Sequence, residues 1–266
     1  MIDFLSQLDT QIFLTFNGLH SDFFDSFMKL FTGRFIWIPL YVALAAVILH
    51  VCRWQKALVY LLAIGAAIAL TDQTCATLIR PAVERLRPSN PENPLSQLAY
   101  IVGGYRGRSY GFPSCHSANS FALAAFISLL FPRRRMVLFI LAWAILNSYT
   151  RLYLGVHYPG DLLVGAVIGS SFGALCYLAA ARIAPITRSE RIARTHQPLL
   201  TIPYIAPPLA KPLGAAGLGG RPFAGAHQAE DGRVPALSLR LFAIPASMTP
   251  FAVCAATLLF IILKSI

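Results

Sequence analysis

Residues 150–181 read TRLYLGVHYPGDLLVGAVIGSSFGALCYLAAA, and from residue 162 onward no side chain in the stretch is charged. A helix needs about 20 mostly apolar residues to cross the hydrocarbon core of a bilayer, so 162–181 predicts a membrane span. The residues before it are of another kind: Arg151, His157 and Asp161 stand within one short turn at its mouth. Proline is tolerated in the first turn of a helix. A helix starting near Tyr158-Pro159 would let His157 and Asp161, four residues apart, face the same way. The stretch therefore predicts a reactive polar cluster at the end of a membrane helix.

Similar apolar runs occur at 35–51, 57–79 (interrupted by Asp72), 117–131, 136–149 (extending toward Leu154) and 241–263. With 162–181 these make about six transmembrane helices, an all-α integral membrane bundle. Composition agrees: 56% of the 266 residues are hydrophobic and 12% are charged, with a mean hydropathy of +0.62, whereas soluble chains carry about 25% charged residues. Residues 1–34 mix polar, acidic and aromatic side chains with apolar ones, and read as amphipathic helices in the interface. They lack the basic start of a cleavable signal peptide. Residues 35–181 form a membrane core. Residues 182–240, rich in Pro and Gly, read as a cytoplasmic loop or linker that is partly disordered, and 241–266 as a final span.

The net charge of +11 would suggest nucleic acid in a soluble protein. Here it points to basic loops, anionic headgroups and a phosphate pocket, with no nucleic acid as partner. Arg53 and Lys56, the run Arg133-Arg134-Arg135, and Arg182, Arg188, Arg191 and Arg194 fall on one side if every span crosses, and basic short loops mark the cytoplasmic side. The 80–116 segment and the 151–157 turn then lie outside. Arg80, Arg85, Arg87, Arg106 and Arg108 oppose that rule, so a functional demand for positive charge on the outer face is expected. The five cysteines follow no C-x-x-C spacing and read mainly as small hydrophobes.

Three clusters share that outer face: Arg80-Pro-Ala-Val-Glu-Arg-Leu-Arg87-Pro88, Gly111-Phe-Pro113-Ser114-Cys115-His116-Ser117, and Thr150-Arg151 through His157 to Asp161. Over roughly 35–181 the sequence resembles the type 2 phosphatidic acid phosphatase family, which shares its pocket with vanadium haloperoxidases. The family pattern is K-x6-R-P, P-S-G-H and S-R-x5-H-x3-D. Arg80, Cys115 and Thr150 stand where the family has Lys, Gly and Ser. The resemblance implies a membrane phosphatase acting on lipid phosphate or pyrophosphate esters, with no metal and no cofactor.

The residues support that chemistry on their own. Asp161 can hold the proton of one imidazole nitrogen of His157, leaving the other to attack phosphorus and form a phosphohistidine. Arg80, Arg87 and Arg151 can bind the phosphoryl oxygens, and Ser114 and Cys115 open the helix N-terminus that completes the cradle. His116 is placed to protonate the leaving oxygen as general acid. Arg85, Arg106 and Arg108 read instead as side chains snorkelling to headgroups, and His20 and His50 as interfacial or satisfied polar groups. Asp72 marks either a structural hydrogen bond or the pocket floor.

The expected substrate is a lipid phosphate held in the bilayer, first undecaprenyl pyrophosphate, then phosphatidate, phosphatidylglycerophosphate or lipid A phosphate. A phosphotransferase would use the same residues. A non-catalytic lipid-binding member and an anion transporter are the readings of another class. The expected location is a bacterial inner membrane, with the active site on the periplasmic face.

Overall fold

The computed structural model describes residues 2–33, 35–195 and 257. Among them all regular structure is helical, apart from one isolated bridge between Leu86 and Tyr110. The helices are α1 (Ile2–Asn17), α2 (Asp22–Phe31), α3 (Ile38–Val51), α4 (Trp54–Val83), α5 (Cys115–Leu130), α6 (Arg134–Tyr153), α7 (Pro159–Ile183) and α8 (Arg188–Thr195). Three of these, α4, α6 and α7, are long and apolar enough to cross a membrane; α3 and α5 are shorter apolar helices. The chain is thus an integral membrane helical bundle. Apart from Thr257, the expected span at 241–263 lies outside the described residues, as does most of the expected loop before it.

Local chemistry sets the helix ends. Ser114 caps α5 by accepting a hydrogen bond from Ser117 N, and Ser21 caps α2 by accepting from Phe24 N. Pro39 and Pro159 occupy first-turn positions of α3 and α7. Asp72 does not break α4: it accepts from Asn119 Nδ2 at 3.3 Å, a hydrogen bond to a neighbouring helix. Just beyond it, 74–79 widens into π-type turns, a distortion often found next to functional sites.

The helices α5 and α7 touch backbone to backbone. Gly165, Gly169 and Gly173, four residues apart, lie over Ser114, Ala118 and Ala122 of α5. A Cβ on Gly169 would sit 2.7 Å from the carbonyl carbon of Ala118 and 2.9 Å from its Cα. Small residues let membrane helices approach this closely, and dispersion then holds them together where no hydrophobic effect operates. The same seam brings Ser114 N to within 3.0 Å of Asp161 O, so it fixes the two helix starts that form the site.

The opposite end carries the basic segments. Lys56 donates to Glu190 of α8 and to the carbonyl of Pro185, and Arg53 N also donates to Glu190. The segment after α7, read as the start of a loop, therefore forms a short helix tied to the head of α4. At the site end, α1 and α2 pack on the bundle through Phe13, Met28 and Phe31, all buried. Asn17 anchors them, donating to the carbonyls of Tyr100 and Tyr153 and accepting from Tyr100 N. Their other faces leave Phe4, Leu5 and Phe24 exposed.

Candidate active site

The turn between α6 and α7 delivers His157 into a nearly closed space. Gly155, at φ +79°, makes that turn where a Cβ would lie 2.6 Å from the Tyr100 carbonyl oxygen, so only glycine fits. His157 and Asp161 are both buried. The imidazole Nδ1 is 3.2 Å from Asp161 Oδ2, which also accepts from Tyr158 N. Arg87 reaches the other nitrogen, its Nη1 lying 2.8 Å from His157 Nε2. A guanidinium has only donors, so Nε2 must present its lone pair and Nδ1 must carry the proton. The contacts on the two sides thus assign one tautomer.

Arg87 is held in turn by the carbonyls of Tyr110 and Val156. Burial lowers its pKa to about 10, with Arg80 and Arg151 pushing the same way; it stays charged at neutral pH. Burial also pushes the His157 imidazole well below its usual range, and Arg87, Arg151, Arg80 and His116 add to that. His157 is therefore neutral at physiological pH. Gly111 closes the wall: a Cβ there would meet Arg87 Cγ at 3.0 Å and Asp161 Oδ2 at 3.1 Å.

A second group faces this one. His116, in the first turn of α5, has Nε2 3.0 Å from Asn147 Oδ1. The amide orientation follows from the chain of contacts: Ser120 donates to the His116 carbonyl, so its oxygen accepts from Asn147 Nδ2, leaving Oδ1 toward His116. His116 Nε2 accordingly bears hydrogen. Thr32 lies 3.4 Å from the same nitrogen and accepts from Arg151 Nη1 at 3.2 Å. The Nε atoms of Arg80 and Arg151 are buried and find no hydrogen-bond partner among the described residues. Arg80 Nη2 donates to the Pro113 carbonyl at 3.1 Å and meets Cys115 Sγ at 2.9 Å. Two of the three departures from the family pattern, Arg80 and Cys115, thus touch each other.

The predicted residues His157, Asp161, His116, Arg80, Arg87, Ser114, Cys115 and Arg151 converge on this one end of the bundle. Arg85 corrects the sequence reading. Arg85 does not snorkel: it donates to Asp161 Oδ1 at 2.8 Å and to Asp9 Oδ2 at 2.6 Å, and stacks 3.9 Å over the Tyr158 ring. A buried carboxylate needs a counter-charge, and Arg85 supplies it. Arg106 donates to the Ser89 carbonyl. These engagements explain why positive charge gathers at this end against the loop rule. His20 stacks on Tyr100 at 3.7 Å, a satisfied ring as expected. Sequence reasoning missed Asp9, Thr32 and Asn147. Asn147 gave a signal, since a carboxamide inside an apolar span demands a partner; Asp9 and Thr32 gave none.

Residues 56–184 match the model of the PAP2 superfamily. Over 190 residues the chain is 53% identical to the lipid A 4'-phosphatase of Bacteroides thetaiotaomicron, an overlap of 71% of this chain and 84% of that protein. It is 27% identical over 176 residues to the lipid A 4'-phosphatase of Porphyromonas gingivalis, covering 66% of this chain and 74% of the relative. Among solved structures, a PAP2 type phosphatidylglycerolphosphate phosphatase from Bacillus subtilis aligns at 23% identity with a TM-score of 0.48, over 69% of this chain and 88% of that one.

Proposed function

The chain belongs to the PAP2 superfamily and is a membrane lipid phosphatase, and from that premise we propose that it removes the 4'-phosphate of a lipid A-type glycolipid through a phosphohistidine on His157. The substrate reading rests on the 53% identity to a lipid A 4'-phosphatase, which moves it from undecaprenyl pyrophosphate to the glycolipid. The mechanism rests on one observation: His157 Nε2 accepts from Arg87 while Nδ1 is held by Asp161.

When a phosphate monoester enters, its oxygens draw the guanidiniums of Arg87, Arg80 and Arg151 onto themselves. Arg87 then leaves Nε2, whose lone pair attacks phosphorus. The Nδ1 proton stays on His157, and Asp161 stabilises the positive charge the ring acquires. As the P–N bond forms, the P–O bond to the sugar breaks, and the leaving oxygen takes a proton from His116, which takes up a second proton as the phosphate anion enters beside it. Ser114 and the first turn of α5 offer N–H and hydroxyl donors to the phosphoryl group. Water, deprotonated by His116, next attacks phosphorus, releasing inorganic phosphate and restoring His157. Three guanidiniums neutralise the phosphoryl oxygens without a metal. The site end then faces the periplasm, opposite the basic end that holds Arg53 and Lys56.

The test is phosphate release by the purified protein in detergent with EDTA, wild type beside His157→Ala, on lipid A, undecaprenyl pyrophosphate, phosphatidate and phosphatidylglycerophosphate. Fastest release from lipid A, lost in the variant, is the expected result. A faster undecaprenyl pyrophosphate overturns the substrate, and an active His157→Ala overturns the nucleophile.

A further inference from the structure

Asp9 lies on α1, outside the 56–184 stretch that matches the family model, yet it reaches the reactive dyad through two routes. Its Oδ2 accepts from Arg85 Nη2 at 2.6 Å, and Arg85 Nη1 donates to Asp161 Oδ1 at 2.8 Å. Its Oδ1 accepts from Gly160 N at 2.7 Å, in the first turn of α7 beside Asp161. Position 160 is glycine for a reason: a Cβ there would lie 3.0 Å from Asp9 Oδ2. The Asp9 side chain is 14% exposed and that of Asp161 is 1% exposed, so neither charge is dispersed by water.

The geometry points to Asp9 as a positioning residue for catalysis, one that sets how much of Asp161's negative charge is left for His157. Arg85 stands between two carboxylates. Burial works against its charge, but Asp161 and Asp9 together outweigh burial and hold its pKa above the ordinary value. If Asp9 were neutral, Arg85 would turn its whole charge on Asp161. The carboxylate would hold the His157 Nδ1 proton less well, and the imidazole would become a poorer nucleophile. Asp9 also holds the Gly160 amide, which orients the turn bearing Asp161. An element of the chain that contributes no atom to the reacting centre therefore tunes the nucleophile. This inference rests on the role proposed above for His157.

The experiment is steady-state kinetics of the full chain on the glycolipid 4'-phosphate in detergent, comparing wild type, Asp9→Asn, Arg85→Gln and the double variant across pH. Asn keeps an oxygen for Gly160 N, but it replaces the oxygen that accepts from Arg85 by an N–H donor, so it removes the charge and that hydrogen bond together. We expect Asp9→Asn to lower kcat about tenfold with KM changed less than about twofold, because Asp9 touches no substrate. The acid limb of kcat/KM should move to lower pH. The groups facing His157 are Asp161, Arg87, Arg151, Arg80 and His116, and with these unchanged the uncovered charge of Arg85 adds to the positive field. On the Arg85→Gln background Asp9→Asn should have little further effect. An unchanged kcat and acid limb in Asp9→Asn overturns the inference. So does a loss in kcat that tracks a lowered melting temperature while the limb stays in place, since that is a structural role. If His157→Ala is itself active, the underlying mechanism fails; if it is dead while Asp9→Asn matches wild type, only the role of Asp9 fails.

Discussion

A methyl group placed at Gly169 should disable the enzyme from a distance. The Cβ of Gly169→Ala would lie 2.7 Å from the Ala118 carbonyl carbon and 2.9 Å from its Cα, whereas carbon atoms rest at roughly 3.5–4.0 Å. The helices α5 and α7 must therefore part by about 1 Å, since both obstructing atoms are backbone and cannot swing aside. Overpacking of this kind costs about 1–3 kcal/mol. The larger effect falls on the site. The glycine seam runs up to Ser114, where a Cβ on Gly165 would already lie 2.5 Å from the Ser114 carbonyl oxygen, and the Ser114 N to Asp161 O bond of 3.0 Å closes its end. A displacement of about 1 Å between catalytic groups can lower the rate about 100-fold. The assay is phosphate release together with thermal melting in detergent. Gly65→Ala is the control, because none of the described residues lies within 4 Å of its Cβ; it should match wild type. Equal activity and melting temperature in the two variants would refute the claim that this seam sets the site.

Arg87→Gln should lower kcat/KM about 100-fold by removing one guanidinium from the transferring phosphoryl group. It should also shift the acid limb upward. Burial, then Arg87, hold the His157 pKa below its ordinary value, and loss of a neighbouring positive charge raises it, so protonation removes the nucleophile at higher pH; a limb that stays or moves down contradicts the assignment. For the contact between Arg80 and Cys115, a cycle of Arg80→Lys, Cys115→Gly and the double variant should be non-additive by about 1 kcal/mol, roughly fivefold in kcat/KM. The double variant, which restores the family pair, should be more active than the two single losses predict, and strict additivity would show the pair to be independent.

The legible parts of the molecule are those written locally. His157 and Asp161 are separated by one turn, and the serine that caps α5 stands two residues before His116, so spacing alone brought them together. The span at 162–181 was visible for the same reason, and the helix extends it only to Pro159–Ile183. Ser114, by capping, starts α5 two residues before the apolar run suggested. What stayed hidden depends on distant segments meeting. Asp9 reaches Gly160 across 151 residues, and Arg151 meets Thr32 across 119; no periodicity encodes either. Arg85 was misjudged because an arginine near a span end usually finds headgroups, and only the fold reveals a buried carboxylate competing for it.

The hydrogen bond that Arg87 makes to the free nitrogen of His157 governs when that nitrogen is dangerous. An uncovered imidazole would react with any acyl donor or aldehyde that wandered near it. In the mechanism proposed above, the lone pair stays under a cation until an anion pulls the cation away, and the idle enzyme would be inert toward neutral electrophiles. Recognition and arming become the same event.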